Sequence, residues 1–329
     1  MSKLVTIYGG SGFVGRYIAR RMAKEGWRVR VAVRRPNEAM HVKPYGVPGQ
    51  VEPVFCNIRD DASVAAVMQG ADAVVNCVGV LNELGKNTFD AVQAEGAGRI
   101  ARIAAGQGVQ QLVHISALGA DAESDSEYAR SKAAGEAAVQ EAFPAAVILR
   151  PSIIFGTEDQ FFNRFASMTR LSPVLPIACG KTLFQPVYVD DVARAAVAGV
   201  LGQAEPGIYE LGGPEVKSFA ALMQEMLSVI HRRRLVLSLP RFVAGIVAFG
   251  FDVLQAASFQ LIENKVLTRD QLKNLRRDNV VSEGAKGFAD LGIEPELMGP
   301  ILPDYLWKFR PSGQYDVMTA SARNLKGDA

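Results

Sequence analysis

The chain has 329 residues, 49% of them hydrophobic and 21% charged, a balance that excludes a disordered or fibrous protein and leaves room for one large or two modest domains. Its 36 basic and 34 acidic side chains give a formal charge of +2 at pH 7, too little to draw the whole chain to nucleic acid or anionic lipid. Cys56, Cys77 and Cys179 are odd in number and widely spaced, which fits reduced thiols better than disulfides, and with His41, His114 and His231 equally scattered no metal site is expected.

The N-terminus enters an apolar strand within three residues, without the lead of a signal peptide or an Arg- and Ser-rich presequence, so residence in the cytosol is expected. That first run, "LVTIYG", opens "YGGSGFVGRYIARRMAKEG", where Gly9, Gly12 and Gly15 stand between a strand and a helix with Phe13, Val14, Tyr17, Ile18 and Met22 on its inner stripe. One glycine permits the tight turn, the next lets backbone N–H groups approach a pyrophosphate, and the third allows close helix–sheet packing with the helix N-terminus facing the anion. The G-x-x-G-x-x-G spacing differs from the commoner G-x-G-x-x-G and is weak alone. Its setting between strand and amphipathic helix points to a nucleotide site built from Gly9, Gly10, Ser11, Gly12, Phe13, Val14 and Gly15.

The second run, "RVRVAVR", ends about twenty residues past Gly15, where an acidic residue would select NAD through its ribose 2′-hydroxyl. Arg34 and Arg35 stand there instead. A guanidinium matches a 2′-phosphate in charge and fork geometry, so NADPH or NADP+ is expected ahead of NADH; the alternative is a solvated pair in a loop. The runs "VEPVFCNI" and "AVVNCVG" end in Asn57 and Ile58, placed to border an adenine, and in Val78 and Gly79, where backbone could approach the adenine ribose or diphosphate.

"QLVHIS" ends at Ser116 and "AVILRPS" at Arg150, and the helix between them opens with "SEYARSK". Tyr128 and Lys132, at i and i+4, share one face. An ammonium there would lower the phenol's pKa toward a useful range and could hold the nicotinamide ribose hydroxyls. The alternative is a helix-surface pair with a partly buried ring. Short apolar runs alternating with helical patterns predict an α/β protein, a Rossmann-type doubly wound parallel sheet over residues 1–155.

Beyond Pro151 the rhythm loosens into a helix near Phe161 to Arg170, a strand "PVYV" leading into a helix from Asp190, a strand "IYELGG" and a helix from Phe219 to Ile230. These predict a smaller C-terminal α/β lobe over 156–310, partly interwoven with the first, followed by an extended tail over 311–329. Asp190 and Asp191 read better as a helix cap and first-turn acid than as paired catalytic carboxylates. Phe242 to Ile262 is about long enough to span a bilayer, but Asp252, Gly245 and Gly250 argue against a span. A buried helix, a partner surface, or membrane-interface contact over residues 240–262 with Arg232 to Arg234 and Arg241 as flanking cations remain open.

In order and spacing, "YGGSGFVG", "YARSK", "LRPSIIFG" and "PVYVDDVARA" make residues 1 to about 201 resemble the extended short-chain dehydrogenase/reductase superfamily. The segments "HISALGAD", "SKAAGEAAVQEAFPAAVILRPSIIFGTEDQFFNRFA", "LPIACGKTLFQPVYVDDVA" and "LTRDQLKNLRRDNVV" carry a narrower resemblance, over nearly the whole length, to the nucleotide-binding accessory subunits of respiratory complex I, NADH:ubiquinone oxidoreductase. That resemblance implies tightly bound NADPH, contact with other complex I subunits near the junction of the peripheral and membrane arms, and a role in assembly or stability rather than a reaction of its own. Without a presequence it implies a bacterial version, peripheral on the cytoplasmic face of the inner membrane. It also implies that Ser116, Tyr128, Lys132, Pro151 and Ile153 border the cofactor.

One departure bears on chemistry: extended dehydrogenases place a Ser or Thr just beyond the fifth strand to polarise the substrate oxygen, and here Ser116 is followed by Ala117, Leu118 and Gly119. Tyr128 and Lys132 are therefore candidate catalytic residues that serve here only as vestiges or cofactor ligands. The alternatives are a free NADP(H)-dependent reductase, dehydrogenase or epimerase that uses the pair, and a redox sensor of NADPH against NADP+.

Overall fold

The structure, a computed structural model, describes residues 2–239, 269–315, 318 and 321. The surface considered above for residues 240–262 and most of the tail therefore lie outside the described residues.

β1 (Leu4–Tyr8) is buried at every position, with Val5 and Ile7 in one core and Tyr8 in another. Its polar Thr6 is satisfied by donating to the Val67 carbonyl at 3.0 Å, so a strand covered on both faces leaves no orphan. β2 (Arg28–Val33), β3 (Val51–Phe55), β4 (Ala73–Asn76), β5 (Gln111–Ile115) and β6 (Val147–Pro151) follow as the apolar runs predict. The chain continues through the short β7 (Ile154–Phe155), β8 (Val174–Ala178), β9 (Leu183–Phe184) and β10 (Val187–Tyr188) to β11 (Gly207–Leu211).

Seven of these strands make one sheet in the order β11-β6-β5-β4-β1-β2-β3, parallel throughout. The order reverses between β1 and β4, and ligands of open α/β sheets bind at the carboxyl ends beside such a switch point. One face is covered by α1 (Phe13–Lys24) and, later in the chain, by the helix Val189–Val200. The other is covered by α2 (Asp61–Met68), α3 (Glu95–Gly106) and α4 (Glu127–Ala142). Each fully buried aliphatic side chain in these layers contributes about 1.5–3 kcal/mol. The Val189–Val200 helix and β11 both lie beyond residue 156, yet they complete the large sheet rather than the smaller lobe.

The third core gathers Phe155, Phe162, Leu175, Ile177, Phe184, Phe219 and Leu306. It is built by α5 (Phe162–Met168), α7 (Phe219–Val229, the Val189–Val200 helix being α6), the β8 pairing with the strand Leu235–Leu239 and the helix Met298–Leu306. Buried Asp159 ties it together, accepting from the Tyr305 hydroxyl at 2.6 Å and the Gly156 N–H at 3.2 Å.

Asp190 and Asp191 do stand in the first turn of α6, but neither caps it; its N-cap is Tyr188, with no side-chain bond. Asp190 pairs with Arg21 of α1 at 2.5 Å. Asp191, 1% exposed, accepts from the Glu296 N–H at 2.7 Å and from Arg194 at 3.1 Å. Both carboxylates join elements distant in sequence, which a local reading of a helix start cannot show.

Candidate functional site at the carboxyl edge of the sheet

The β1–α1 turn is closed by its own backbone. Gly9 takes φ +73°, its N–H donates to the Ala32 carbonyl at 2.9 Å, and its carbonyl accepts from Gly12 N–H at 2.9 Å. A Cβ on Gly15 would stand 2.5 Å from the Gly9 carbonyl oxygen and 2.7 Å from the Gly10 Cα, so only glycine lets α1 approach the turn this closely. Gly12 occupies the helix N-cap without a side-chain bond, and the first turn holds no acid, leaving N–H groups and the positive helix end for an anion. Ser11, Phe13 and Val14 are half-buried, with Phe13 packed edge-on against Tyr17.

Arg16 braces this turn: its guanidinium donates to the Ser11 carbonyl at 3.1 Å and the Gly12 carbonyl at 3.2 Å, and pairs with Glu158 at 3.2 Å. Glu158 also accepts from the Tyr17 hydroxyl at 3.0 Å. The partners of this clamp lie 142 residues apart, a separation that local sequence patterns do not encode.

At the end of β2, Arg34 is exposed and, among the described residues, its guanidinium meets no hydrogen-bond or ion-pair partner. Arg35 is shared with Glu38 at 3.0 Å. Of the two, Arg34 is the guanidinium free to take an anion. At the end of β3, the Asn57 side chain accepts from Arg59 N–H at 3.2 Å in a local turn, and Ile58 packs on α3 at Gly96.

The end of β4 meets both the glycine turn and α4. Asn76 Oδ1 accepts from Val78 N–H at 3.1 Å, and a Cβ on Gly9 would stand 3.3 Å from Val78 Cγ2. A Cβ on Gly79 would lie 3.4 Å from Lys132 Nζ, so the Lys132 ammonium faces the same crevice. Lys132 is 5% exposed, and among the described residues its ammonium donates only to the Ile115 carbonyl, at 3.4 Å. Burial pushes this ammonium down to about 8, offset in part by Glu136 and Cys77.

Tyr128 lies one turn earlier, half-buried, its ring edge-on to Phe89 at 5.9 Å and 6.0 Å from Lys132 Nζ. Burial pushes the phenol up to about 12, opposite to the lowering expected from an adjacent ammonium. The phenol is thus neutral near pH 7 and is equipped to donate a proton, not to remove one. Beneath the pair, His114 is buried against Asn76 at 3.1 Å, and burial holds it neutral, with its pKa pushed down to about 3.

Ser116 is drawn away into an ionic cluster. Its buried hydroxyl donates to Glu136, which also receives Arg150 at 2.6 Å and 2.9 Å; Arg150 in turn reaches Glu210 at 3.5 Å. Glu136 lies at i+4 from Lys132, a signal that the Tyr128–Lys132 spacing already carried one turn further on. Pro151 contributes its carbonyl to Leu118 N–H at 2.9 Å, whereas Ile153 packs against the third core. The structure therefore brings together the glycine turn, Val78, Gly79, Tyr128 and Lys132, and sets Ser116 and Ile153 into neighbouring structural clusters.

This geometry fits a dinucleotide: a turn whose space a Cβ would fill, an uncapped helix N-terminus, a free guanidinium after β2 and a buried ammonium short of acceptors. The sequence model of the NAD dependent epimerase/dehydratase family matches residues 5–212. The chain belongs to the NAD dependent epimerase/dehydratase family.

Within this epimerase/dehydratase family the chain is 34% identical over 316 residues to NADH dehydrogenase [ubiquinone] 1 alpha subcomplex subunit 9 of Arabidopsis thaliana, covering 94% of this chain and 79% of that one. It is 33% identical over 195 residues to ceramide reductase of Caulobacter vibrioides, covering 59% of this chain and 60% of that enzyme. Among solved structures, the NADPH complex of an NADPH-dependent quinone oxidoreductase from Escherichia coli shares the fold, with a TM-score of 0.70 at 16% identity over 91% of this chain and 99% of that one. Among the described residues of this family member, no group of three or more His, Cys, Asp or Glu could hold a metal ion, and no helix is long and apolar enough to cross a membrane.

Proposed function

We propose that this protein is an accessory subunit of complex I that holds NADP(H) as a structural ligand and does not turn it over. The sequence similarity to a complex I subunit over 94% of the chain supports the assignment, since that to ceramide reductase covers only 59% of it. The observation that carries the absence of turnover is Ser116, whose hydroxyl is spent on Glu136 while Ala117, Leu118 and Gly119 offer none in its place. Loss of one such polarising donor lowers an enzyme's rate by roughly 10² or more.

In this reading the α1 N-terminus holds the pyrophosphate, Arg34 the 2′-phosphate, and Lys132 the nicotinamide ribose hydroxyls, with Tyr128 beside the ring. When bound, the nicotinamide supplies hydride chemistry; the chain's own residues here orient and retain it. A buried ammonium that among the described residues reaches one distant carbonyl gains acceptors when the ribose arrives, so occupancy stabilises the folded chain by mass action. The place of the subunit is near the junction of the peripheral and membrane arms, at the cytoplasmic face of a bacterial inner membrane.

Tyr128 supports a second reading. Among the described residues its hydroxyl has no hydrogen-bond partner, and the ceramide reductase relative is an enzyme, so an NADP(H)-dependent reduction with Tyr128 as proton donor is the rival. Following nicotinamide absorbance with long-chain ketones, nucleotide sugars and quinones separates the two. The subunit reading expects no turnover above background in wild type; turnover that Tyr128→Phe abolishes establishes the reductase. Replacing Arg34 and Arg35 together with Ala is expected to weaken NADPH by about 1.5–3 kcal/mol and leave NADH nearly unchanged, as competitive titration would show. Equal losses for both nucleotides would remove the 2′-phosphate from the account.

A further inference from the structure

Residues 270–279 lie outside the nucleotide site, yet they meet it repeatedly. Asp270, in the helix Arg269–Asn274, lies against the first turn of α4. Its carboxylate accepts from the Ser126 hydroxyl at 2.7 Å, from Glu127 N–H at 2.8 Å and from Tyr128 N–H at 3.2 Å. Ser126 already caps α4 from within, accepting from Ala129 N–H at 3.3 Å. The helix that carries Tyr128 and Lys132 therefore has a second cap, delivered from 144 residues away.

The following residues hold both the sheet edge and the second lobe, where Leu275, Asp278 and Asn279 bond Thr182, Leu183 and Gln185 and Asn279 forms a parallel bridge with Phe184. Gln271 donates to the Asn82 side chain at 3.2 Å, beyond β4. Lys273 donates to the Asp125 carbonyl at 3.1 Å and Arg277 pairs with Asp121 at 2.5 Å, both between β5 and α4. Asn279 accepts from the Ser152 hydroxyl at 2.7 Å, beyond β6. β4, β5 and β6 are consecutive in the sheet, so residues 270–279 cross the carboxyl ends of three adjacent strands, on the side where Gly79, Tyr128 and Lys132 meet. The tethers to the sheet edge are polar, while Leu272 is buried beside Ala178 and Leu275 packs between that small cluster and the third core.

We propose that residues 270–279 form a strap that closes the nicotinamide half of the site, with Asp270 as the positioning residue that holds α4 in place so that the dinucleotide leaves only when the strap detaches. This rests on the nucleotide-binding reading above. It explains how the site retains its ligand: the strap joins the loops that flank it, and each polar tether must break before they separate. It also places the 2′-phosphate end, at Arg34, outside the strap's reach, because β2 lies on the other side of β1.

The test uses the full chain, with NADPH release followed by stopped-flow fluorescence after displacement with excess NADP+. Asp270→Ala is expected to speed release on the order of tenfold, the scale of losing a cap together with a charge-assisted bond, while leaving the ratio of NADPH to NADH affinity unchanged. Arg277→Ala, whose pair with Asp121 is largely exposed, is expected to speed release by a smaller factor without disturbing the fold. A lower unfolding midpoint with a wild-type release rate in Asp270→Ala would reduce the contact to an ordinary helix cap and overturn the strap. If Asp270→Ala does not fold, wild-type release rates in both Arg277→Ala and Gln271→Ala overturn it equally. Wild-type protein that binds no NADP(H) would instead remove the nucleotide reading, and the strap with it.

Discussion

Gly15→Ala is expected to cost about 2–3 kcal/mol of stability and, in the protein that still folds, roughly 30–100-fold in nucleotide affinity. The added Cβ would meet backbone alone, 2.5 Å from the Gly9 carbonyl oxygen, 2.7 Å from Gly10 Cα and 3.1 Å from the Gly10 carbonyl carbon, so no side-chain rotation relieves it. α1 must move off the turn, and its N-terminal N–H groups move with it. Both the unfolding midpoint and the NADPH affinity should fall. Gly106→Ala supplies the control: nothing lies within 4 Å of its Cβ at the end of α3, so stability should hold or rise by up to about 1 kcal/mol. A Gly15→Ala protein with wild-type affinity would mean that the turn and the helix end do not together form the anion site.

Glu136→Ala is expected to destabilise by about 3 kcal/mol, lowering the unfolding midpoint by roughly 5 °C. Glu136 is 3% exposed and accepts from two groups at once, Arg150 and the Ser116 hydroxyl. Its removal leaves the Arg150 guanidinium with Glu210 alone, at 3.5 Å, and orphans a buried hydroxyl. The side chain of Arg150 is 21% exposed, so water recovers part of the loss and the cost falls at the lower end of the range for broken buried pairs. Glu136→Gln keeps an acceptor for Ser116 and should lose about half as much; Glu136→Leu combined with Arg150→Met removes both charges and should recover most of it. Chemical denaturation of the three variants measures these differences. Equal losses in Ala and Gln would place the energy in packing instead of the carboxylate.

The fold was legible where burial imposes a pattern. Strands covered on both faces read as "LVTIY", "RVRVAV" and "VILRP", and the glycine turn between β1 and α1 announces itself because only glycine fits at Gly9 and Gly15. Less legible was the place of β11 in the large sheet and of α6 in the layer that covers it, since local periodicity reports that an element exists and not which layer receives it. The site divides in the same way. Tyr128 and Lys132 were visible as a helical pair, but the rise in the phenol's pKa came from burial among Phe89 and its surroundings, which spacing does not encode. The engagement of Ser116 was invisible because its partner Glu136 approaches from another element, although Glu136 continues the stripe of Tyr128 and Lys132 along α4. Glu158 on Arg16 and Asp270 on α4 arrive from 142 and 144 residues away, a distance over which sequence proximity carries no information.

We propose that this chain carries NADP(H) within complex I and leaves it unreacted. The most direct measurement is purification of the native protein from its own membranes in mild detergent, followed by identification of every co-migrating subunit and of the nucleotide released on denaturation. Complex I subunits are expected in the same band, with NADP(H) close to one per chain. A free monomer apart from complex I, or a complex whose copy of this chain releases no NADP(H), would contradict it.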